Sequence, residues 1–520
     1  MAFLLAFAGT AWWVAGAYDG ESGATPAADE RVGGDRVDTS AEDVEDWDLG
    51  PGNRAFEDLP QYRSYQQNWD DTVMTEYGGS VPHHKHDGES PLPEGYKHAQ
   101  PYLKNLWLGY PFMWHYERAR GHTYAIKDVT TTDRVNRYSE QADLPATCWN
   151  CKANTIPDLL DEKGDDFWSS NFHDYRTIHD PVDHAIGCTN CHDPDDDMRL
   201  AITSVPLKDY LERQGKDWRN KSNQEMRSLV CAQCHVEYYF EDGEHGVAAK
   251  VHFPWDEGFD AEDMYAFKED GDPERDGFEG QFVDWTHAVS EAPMLKVQHP
   301  EFEMYQDSVH ESAGVACADC HMPRVREGRA DITSHHLTSP LSSEEMIKAS
   351  CQSCHEDKSP EWLRKRTEYN QERVWRQLNI AQEKSVRAHE AVRLAMEHDG
   401  DVDEDRLDEA RQKIRKGQWF WDYVSAENSA GAHNPSKALD TLASSQQYSD
   451  RAVELALEAA DYETAAALLG QPIKEQVPPI MEHTRKLQMD EEHLASHPWL
   501  EYLDPLPEAE KIWDGNERLR

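Results

Sequence analysis

The cysteines of this chain all occur as C-x-x-C pairs. They are Cys148/Cys151, Cys188/Cys191, Cys231/Cys234, Cys317/Cys320 and Cys351/Cys354. Pairs with this spacing can form disulfides, hold zinc or attach a c-type haem, so the spacing alone leaves three chemistries open. The residue that follows each pair distinguishes among them.

Histidine follows four of the five pairs, at His192, His235, His321 and His355. Only 26 of the 520 residues are histidines, so four such placements by chance are very improbable, and C-x-x-C-H is the attachment motif of c-type haem. The two thiols can each add to one vinyl group of a porphyrin while the adjacent imidazole reaches the iron. The motif therefore predicts four covalently bound haems.

Lysine follows the first pair, in the segment Cys148-Trp149-Asn150-Cys151-Lys152. An amine binds iron only when neutral, and burial beside a metal lowers the pKa of a lysine far enough for that. Either this site lost its proximal ligand, or it holds a fifth haem that differs electronically from the others. The second interpretation predicts a reaction centre supplied by four electron-transfer haems.

A C-x-x-C-K site followed by four C-x-x-C-H sites resembles the pentahaem cytochrome c nitrite reductases, which produce ammonium. The resemblance implies five covalent c-type haems, Ca²⁺ and six-electron reduction of nitrite at a haem ligated by Lys152. A multihaem electron-transfer cytochrome, which needs no open iron, and a reductase of hydroxylamine or sulfite are the alternatives.

Two further segments resemble site elements of that family. HVEYYF follows the third haem motif, and KVQHP lies before the fourth. Calcium ligands implied by this match are Glu237, the Tyr238 carbonyl, the Lys296 carbonyl and the Gln298 side chain, and oxygen donors of this kind suit Ca²⁺. The match also implies that Tyr238 and His299 act on substrate, with His299 donating protons. By composition alone, the first segment could equally be the edge of an amphipathic strand or helix.

Arg134 is the third active-site residue that the resemblance implies. The interval from Arg134 to Lys152 is shorter than in the family pattern, so Arg137 is the alternative. The resemblance also implies a sixth ligand for each histidine-ligated haem: His335 for the second, with His336 adjacent to it, His122 for the third, His433 for the fourth and His310 for the fifth.

The elements that position these residues are predicted to be mainly helical. Apolar residues recur at helical intervals from Trp375 to Ala395, which predicts one long helix from about Pro360. Further helices are predicted at 405–426, 435–459 and 462–469, with Pro478 and Pro479 interrupting the pattern before a last segment that ends at Gln488. Residues 241–284, rich in Gly, Asp and Glu, predict loops. The predicted fold class is a mainly α multihaem cytochrome c with little β structure, a haem-packed core and long C-terminal helices.

The chain divides into four predicted regions. Residues 1–17 are apolar apart from Thr10 and end in a small-x-small site, which predicts a signal peptide or a membrane anchor. The protein is therefore expected to be exported to the periplasm or to the outer face of the cytoplasmic membrane. Residues 18–60 predict an acidic tether. Residues 61–358 would form the pentahaem catalytic region, and residues 359–520 a long-helix region for packing and dimerisation.

The charge balance of 52 basic and 100 acidic residues gives a net charge of −48. This charge repels phosphate backbones and excludes nucleic acid as a partner. The acidic residues are spread along the chain, which favours a salt-adapted, halophilic surface over a docking face for a basic partner. A thermal midpoint that does not change from low to molar KCl would contradict that hypothesis. The resemblance implies a homodimer and a membrane-bound quinol-oxidising multihaem cytochrome as electron donor.

Overall fold

The structure is a computed structural model that describes residues 59–69, 73–79, 100–110, 112, 120–131, 145–176, 185–241, 250–460 and 471–490. Over these residues helices predominate, and the strands form short antiparallel pairs. The predicted fold class, mainly α with little β structure, is confirmed. The predicted signal peptide or anchor, residues 18–58 of the predicted tether, Arg134, Arg137 and the predicted helix at 462–469 lie outside the described residues.

The helices are short before residue 360 and long after it. They are α1 (Pro60–Gln66), α2 (Leu103–Leu106), α3 (Ala125–Thr131), α4 (Ile156–Lys163), α5 (Phe172–Arg176), α6 (Val205–Arg213), α7 (Asn223–Leu229), α8 (Ala261–Phe267), α9 (Glu301–Tyr305), α10 (Val309–Ser312), α11 (Cys317–His321), α12 (Glu344–Ser350), α13 (Pro360–Met396), α14 (Glu404–Ala426), α15 (Pro435–Ala459) and α16 (Ile473–Asp490).

The strands pair only with their neighbours in sequence, as antiparallel hairpins. The pairs are β1 (Met74–Thr75) with β2 (Gly78–Gly79), β3 (His192–Asp193) with β4 (Arg199–Leu200), β5 (Tyr239–Phe240) with β6 (Val251–His252), β7 (Trp285–Thr286) with β8 (Pro293–Met294), and β9 (Arg324–Glu327) with β10 (Ala330–Thr333). Each hairpin is a local turn and none extends into a larger sheet among the described residues.

The three longest helices each begin at a polar capping residue. Ser359 Oγ accepts the Trp362 N–H at 3.1 Å, and Pro360 occupies the first turn of α13. Asp403 caps α14, and Asn434 caps α15 in the same way. Side chains that accept these unpaired N–H groups fix where a helix begins. The predicted long helices are confirmed within one residue at these starts.

Helix α16 departs from the prediction, because Pro478 and Pro479 lie inside it. Proline removes a backbone N–H and was expected to interrupt the helix. The helix continues because its buried face, which includes Val477, Ile480 and Met481, packs against the protein interior. Burial of this apolar face outweighs the loss of two backbone hydrogen bonds.

Residues 250–284 also depart from the prediction of loops with little regular structure. Helix α8 forms in this segment, and the aromatic side chains of Phe253, Trp255 and Phe278 on either side of it are buried. The acidic and glycine residues set the composition, whereas the aromatic residues between them supply the packing. Composition alone therefore underestimated the order of the segment.

One large hydrophobic cluster joins the long helices to the region before them. It includes Trp107, Trp255 and Leu295 together with Trp375 and Trp419. A second cluster surrounds the first C-x-x-C pair. The division of the body near residue 358 stays a prediction. Within the described parts of the chain, no helix is both long and apolar enough to cross a membrane.

Candidate functional site: a clustered array of C-x-x-C loops

Each C-x-x-C pair lies in a short helical turn. The first, second and fifth pairs lie in 3₁₀ turns, and the fourth lies in α11. At the third and fifth sites, the histidine N–H donates to the carbonyl of the first cysteine, at 3.0 Å in His235 and 2.9 Å in His355. A turn of this kind places both thiols on one side of the backbone and presents the following residue close to them.

The thiols of different sites approach one another. Cys151 is an electrostatic neighbour of Cys234, and Cys231 is an electrostatic neighbour of Cys317. Cys320 is an electrostatic neighbour of Cys351. The third site therefore adjoins the first and the fourth, and the fourth adjoins the fifth. All ten cysteines are described, and none forms a disulfide.

Cys354 differs from the other cysteines in its exposure. Its side chain is exposed, whereas the other nine cysteines are half-buried. The physical reason is the position of the fifth site. Its loop packs through Cys351 on a small cluster of Leu341, Ile347 and Leu363, and the polar chain that follows Cys354 is also exposed. Attachment of a haem at Cys354 stays a prediction.

Four histidine pairs accompany the four C-x-x-C-H sites. Their ring centroids are 6.3 Å apart in His192/His335, 6.2 Å in His235/His122, 6.2 Å in His321/His433 and 6.4 Å in His355/His310. The structure thus brings each motif histidine to the residue that the resemblance implied as its partner, and places His335 rather than His336 opposite His192.

The spacing of these pairs fits an intervening metal ion. Metal–imidazole bonds are about 2.0–2.1 Å long and the ring centre lies about 1.1 Å beyond the nitrogen, so two imidazoles on opposite sides of one ion have centres about 6.3 Å apart. The residues therefore fit haem iron held between two histidines.

A fifth histidine pair provides a comparison within the same molecule. The rings of His287 and His389 are stacked with centroids only 3.8 Å apart, and both side chains are fully buried. Burial lowers the pKa of His287 to about 4 and lowers that of His389 as well. Ser290 Oγ lies 2.8 Å from His389 Nδ1, and His287 Nε2 lies 2.9 Å from the Asn105 carbonyl. This pair leaves no space for an ion between its rings.

Lys152 is held by the packing of its own loop. Trp149, inside the C-x-x-C pair, stacks on Phe172 with centroids 4.4 Å apart, and its indole N–H donates to the Phe172 carbonyl at 2.9 Å. The Lys152 N–H donates to the Trp149 carbonyl at 2.9 Å. These contacts fix the loop from which the lysine side chain projects, and Lys152 belongs to none of the four ring pairs.

His299 is half-buried and lies near Lys152. Burial lowers the pKa of His299 to about 3, and the positive charge of Lys152 adds to this effect, while Glu301 opposes it. The His299 N–H donates to the Val236 carbonyl at 3.2 Å, which places His299 beside the segment that carries Tyr238. Tyr238 is partly buried and packs on Phe240, with ring centroids 5.6 Å apart. The structure therefore brings Lys152, His299 and the Tyr238 segment into one region.

The proposed calcium ligands lie together. The Gln298 N–H donates to Glu237 Oε2 at 2.6 Å, and the Gln298 side-chain amide lies 3.4 Å from the Lys296 carbonyl oxygen. Burial raises the pKa of Glu237 to about 7 although the Lys268 ammonium lies 3.2 Å from Oε1. Among the described residues, no three His, Cys, Asp or Glu side chains are grouped to hold a metal, so this set depends on carbonyl and amide oxygens.

The spacing of these oxygens is compatible with a hard cation. Two oxygens at about 2.4 Å from one Ca²⁺ and at right angles lie about 3.4 Å apart, which is the amide-to-carbonyl separation here once the amide oxygen is turned toward the ion. Glu237 Oε1 is buried and has no hydrogen-bond partner of good geometry in the described structure. A cation would supply the positive charge that favours ionised Glu237.

Several buried charges around this set were not predicted from the sequence. Asp422 of α14 accepts the Val297 N–H at 3.0 Å and pairs with the Lys296 ammonium at 3.1 Å. Glu303 accepts the Glu237 N–H at 2.7 Å and the Trp255 indole N–H at 2.6 Å. These contacts position the ligand backbone. No sequence motif identifies Asp422 or Glu303 as part of this site. Their burial beside the ligand backbone is visible only in the fold.

Comparison with known proteins gives the family. Residues 44–518 match the family model described as cytochrome c552. The chain belongs to the cytochrome c552 family. It is 54% identical over 474 residues, covering 90% of each chain, to the cytochrome c nitrite reductase subunit NrfA of Nitratidesulfovibrio vulgaris. It is 38% identical over 341 residues, covering 65% of this chain and 64% of the relative, to cytochrome c-552 of Parabacteroides distasonis.

A solved member of the cytochrome c552 family has a similar structure. Cytochrome c nitrite reductase from Desulfovibrio desulfuricans, described with two calcium sites in its catalytic subunit NrfA, superposes with a TM-score of 0.78 at 51% identity and covers 91% of this chain and 100% of its own. The expected resemblance to pentahaem nitrite reductases is therefore confirmed at the level of family and fold.

Proposed function

We propose that this protein is an ammonia-forming cytochrome c nitrite reductase that holds five c-type haems and reduces nitrite by six electrons at the Lys152 site. One observation carries the proposal: four of the five sites have a facing histidine at 6.2–6.4 Å, whereas Lys152 stands outside these pairs. Relatives that share about half of the sequence are named as nitrite reductases.

The residues around Lys152 support the reduction of an anion. Cys148, Cys151 and Lys152 would hold a haem at this site, and that haem would supply the iron and the electrons for nitrite reduction. In this proposal Lys152 is the protein ligand of that iron. His299, neutral because its pKa is low, offers a ring N–H to the substrate, and Tyr238 offers a phenolic O–H. We assign Arg134 to the same pocket from the sequence resemblance.

The overall reaction consumes protons as well as electrons. Nitrogen passes from nitrite to ammonium by taking up six electrons, and the two oxygens leave as water, so eight protons are needed for each nitrite. In this proposal His299 and Tyr238 pass these protons from solvent to the substrate oxygens and nitrogen. Their replacement therefore affects turnover more than it affects haem content.

Ca²⁺ would be held by Glu237, the Tyr238 and Lys296 carbonyls and the Gln298 amide. Such an ion fixes the Tyr238 backbone and adds positive charge near the substrate, against a chain whose net charge is −48. Burial of Glu237 beside the buried Lys268 supports this assignment, because a buried carboxylate needs positive charge around it.

The remaining four haems would form the electron supply. The close thiols of the first and third sites support direct passage from the third haem to the Lys152 haem. The donor in this proposal is a membrane quinol-oxidising multihaem cytochrome. The protein would be exported to the periplasm, with or without an N-terminal anchor, and would act as a homodimer through its long helices.

The test is nitrite turnover by the haem-loaded protein with a reduced viologen as donor. We expect one ammonium for each nitrite consumed and viologen oxidation that matches six electrons. Hydroxylamine and sulfite are assayed in parallel under the same conditions. A protein with five haems that turns over sulfite but not nitrite, or that binds no cyanide at any haem, would contradict the proposal.

A further inference from the structure

Two carboxylates, one fully buried and one half-buried, lie beside ligand histidines of neighbouring haem sites. Glu427 is fully buried, and its Oε2 lies 3.2 Å from Nδ1 of His433, which faces His321. Glu301 Oε1 lies 3.8 Å from Nδ1 of His235 at the third site. Neither residue belongs to the ligand sets described above.

The other Nδ1 contacts of ligand histidines are to neutral acceptors. His192 Nδ1 lies 2.7 Å from the Met198 carbonyl, His335 Nδ1 lies 3.0 Å from the Thr333 carbonyl, and His321 Nδ1 lies 3.1 Å from the Thr338 carbonyl. Glu427 and Glu301 thus provide a different kind of partner, because a carboxylate carries a full negative charge and a carbonyl only a partial one.

The loop 427–433 is built around the Glu427 carboxylate. The Ser429 hydroxyl donates to it at 2.6 Å, and the Gly431 N–H donates at 2.6 Å. Ser429 Oγ in turn accepts the His433 N–H at 3.1 Å. The side chain of Asn428, whose φ is 57°, donates to Glu301 Oε1 at 2.6 Å. One loop therefore fixes Glu427 against His433 and connects it to the carboxylate beside His235.

We infer that Glu427 is a positioning residue that lowers the reduction potential of the haem held between His321 and His433. A carboxylate that accepts the Nδ1–H makes the imidazole a stronger donor, and a stronger donor stabilises ferric over ferrous iron. Glu301 acts on the third haem in the same direction and more weakly, because its distance to His235 is longer. The inference rests on the haem ligation in the proposed function, and it makes no use of nitrite chemistry.

The consequence is an uneven relay. The second haem, with carbonyl contacts on both of its histidines, would have a higher potential than the fourth, with one carboxylate contact. Electrons would therefore favour the second haem over the fourth at equilibrium. Carboxylate placement, rather than ligand identity, distinguishes haems that all have two histidine ligands.

The primary test is Glu427→Gln in the haem-loaded full chain. Glutamine retains the shape but removes the negative charge. A tenfold loss of ferric preference corresponds to about 59 mV for a one-electron couple, and we expect one of the five haems to shift upward by about this amount in a potentiometric titration. The ferric electron paramagnetic resonance signal of one low-spin haem should change its g-values at the same time. An unchanged potential and spectrum would overturn the inference.

Ser429→Ala is the matched variant and has the opposite expected sign. Removing the Ser429 hydroxyl withdraws a neutral donor from Glu427, which leaves more of the negative charge on His433, so the same haem should shift downward. Shifts of the same sign in both variants indicate a merely structural loop and would overturn the inference. If Glu427→Gln does not fold, Ser429→Ala and the charge-retaining Glu427→Asp replace it in the test. The haem potential should shift less in Glu427→Asp than is expected for Glu427→Gln, because aspartate keeps the negative charge.

Haem content separates this inference from the proposed function. Wild-type protein with fewer than five haems by mass and pyridine haemochrome would contradict the ligation on which both depend. Five haems, nitrite turnover and an unmoved potential in Glu427→Gln would contradict the inference alone. Five haems with a shifted potential but no nitrite turnover would support the inference and contradict the proposed function.

Discussion

The Lys152 site and the four histidine sites share one cysteine spacing. They differ in the side chains that surround the residue directly after the second cysteine. At each histidine site a second imidazole faces the first at 6.2–6.4 Å. At the first site Lys152 follows the cysteine pair in place of histidine, and His299 and the Tyr238 segment lie close to it. Under the proposed function, this difference lets one attachment motif serve two purposes: a haem with two histidine ligands would transfer electrons, and a haem with a single protein ligand would be available to substrate.

The His287/His389 pair differs from the four ligand pairs in the distance between its rings. Its rings stack at 3.8 Å, so proximity of two buried histidines does not by itself create a metal site. What distinguishes the four ligand pairs is the space kept between the rings. That space is maintained by elements from different parts of the chain, since the partners in each pair come from separate segments.

Removal of the proposed proton donor near Lys152 should have the largest effect on nitrite turnover. His299→Ala should lower nitrite turnover by about 10²–10⁴-fold, which is the usual contribution of general acid–base catalysis. Haem content should remain at five, because His299 is not an iron ligand in the proposal. His398→Ala, at the end of α13, is the control. Turnover like that of the wild type in His299→Ala would remove this residue from the mechanism.

Loss of the calcium carboxylate should produce the next largest effect. Glu237→Gln is expected to weaken Ca²⁺ binding by about 10–100-fold, as replacements around metal ligands usually do, and to make turnover sensitive to mild chelation. Calorimetric titration of the chelated protein measures the affinity. Glu241→Gln, which removes a carboxylate that pairs with His252 instead, is the matched control. Equal Ca²⁺ affinity in both variants would count against the ligand assignment.

Removal of one of the two histidines at an electron-transfer haem should leave that haem with a single protein ligand, as proposed for the Lys152 site. His335→Ala removes the imidazole that faces His192, and we expect cyanide to bind two haems instead of one. Cyanide titration followed by absorbance gives the stoichiometry. His336→Ala is the control, because His336 is the neighbouring residue and lies outside the four ligand pairs. If the stoichiometry of His335→Ala equals that of the control, His335 is not a ligand.

The stacked pair His287/His389, called the contact pair below, should have the smallest effect. It should make the free energy of unfolding depend on pH. The pKa of His287 falls to about 4 on folding, against about 6.5 in the unfolded chain. The unfolded chain then binds more protons between these values, so the free energy of unfolding decreases as pH falls through this window. The loss amounts to roughly 3 kcal/mol in total, a thermal midpoint shift of a few degrees.

A His287→Asn/His389→Gln double variant isolates that contribution. Its thermal midpoint should vary less between about pH 7 and pH 5 than that of the wild type, whatever its absolute stability. The haem absorbance spectrum should not change, because neither residue belongs to a ligand pair. An identical pH slope in the two proteins would contradict the role of the contact pair.

Much of the architecture was predictable because its determinants are local. Helices α13 and α15 begin at a polar cap followed by proline, and their apolar residues recur at helical intervals, so their bounds follow from neighbouring residues alone. Local rules failed at Pro478 and Pro479, where tertiary burial keeps α16 helical. They failed also at α8, where aromatic packing outweighs an acidic composition.

The candidate site was predictable only in part. The C-x-x-C motifs carry their own chemistry, but they do not show that Cys354 is exposed while the other thiols are half-buried. The pairing of His122 with His235 came from the family resemblance, because nothing in the spacing connects the two residues. Glu301 and Glu427 were missed. Each is an ordinary charged residue in sequence, and only the fold shows that it lies beside a ligand.

The contacts between thiols of different sites have a consequence for biogenesis. Cys231 lies beside Cys317, and Cys151 lies beside Cys234, so a chain that folded before modification would bring reactive thiols of separate sites together in an oxidising compartment. Cross-linked products would then compete with the mature protein. We therefore expect haem attachment to precede the folding step that brings these thiols together.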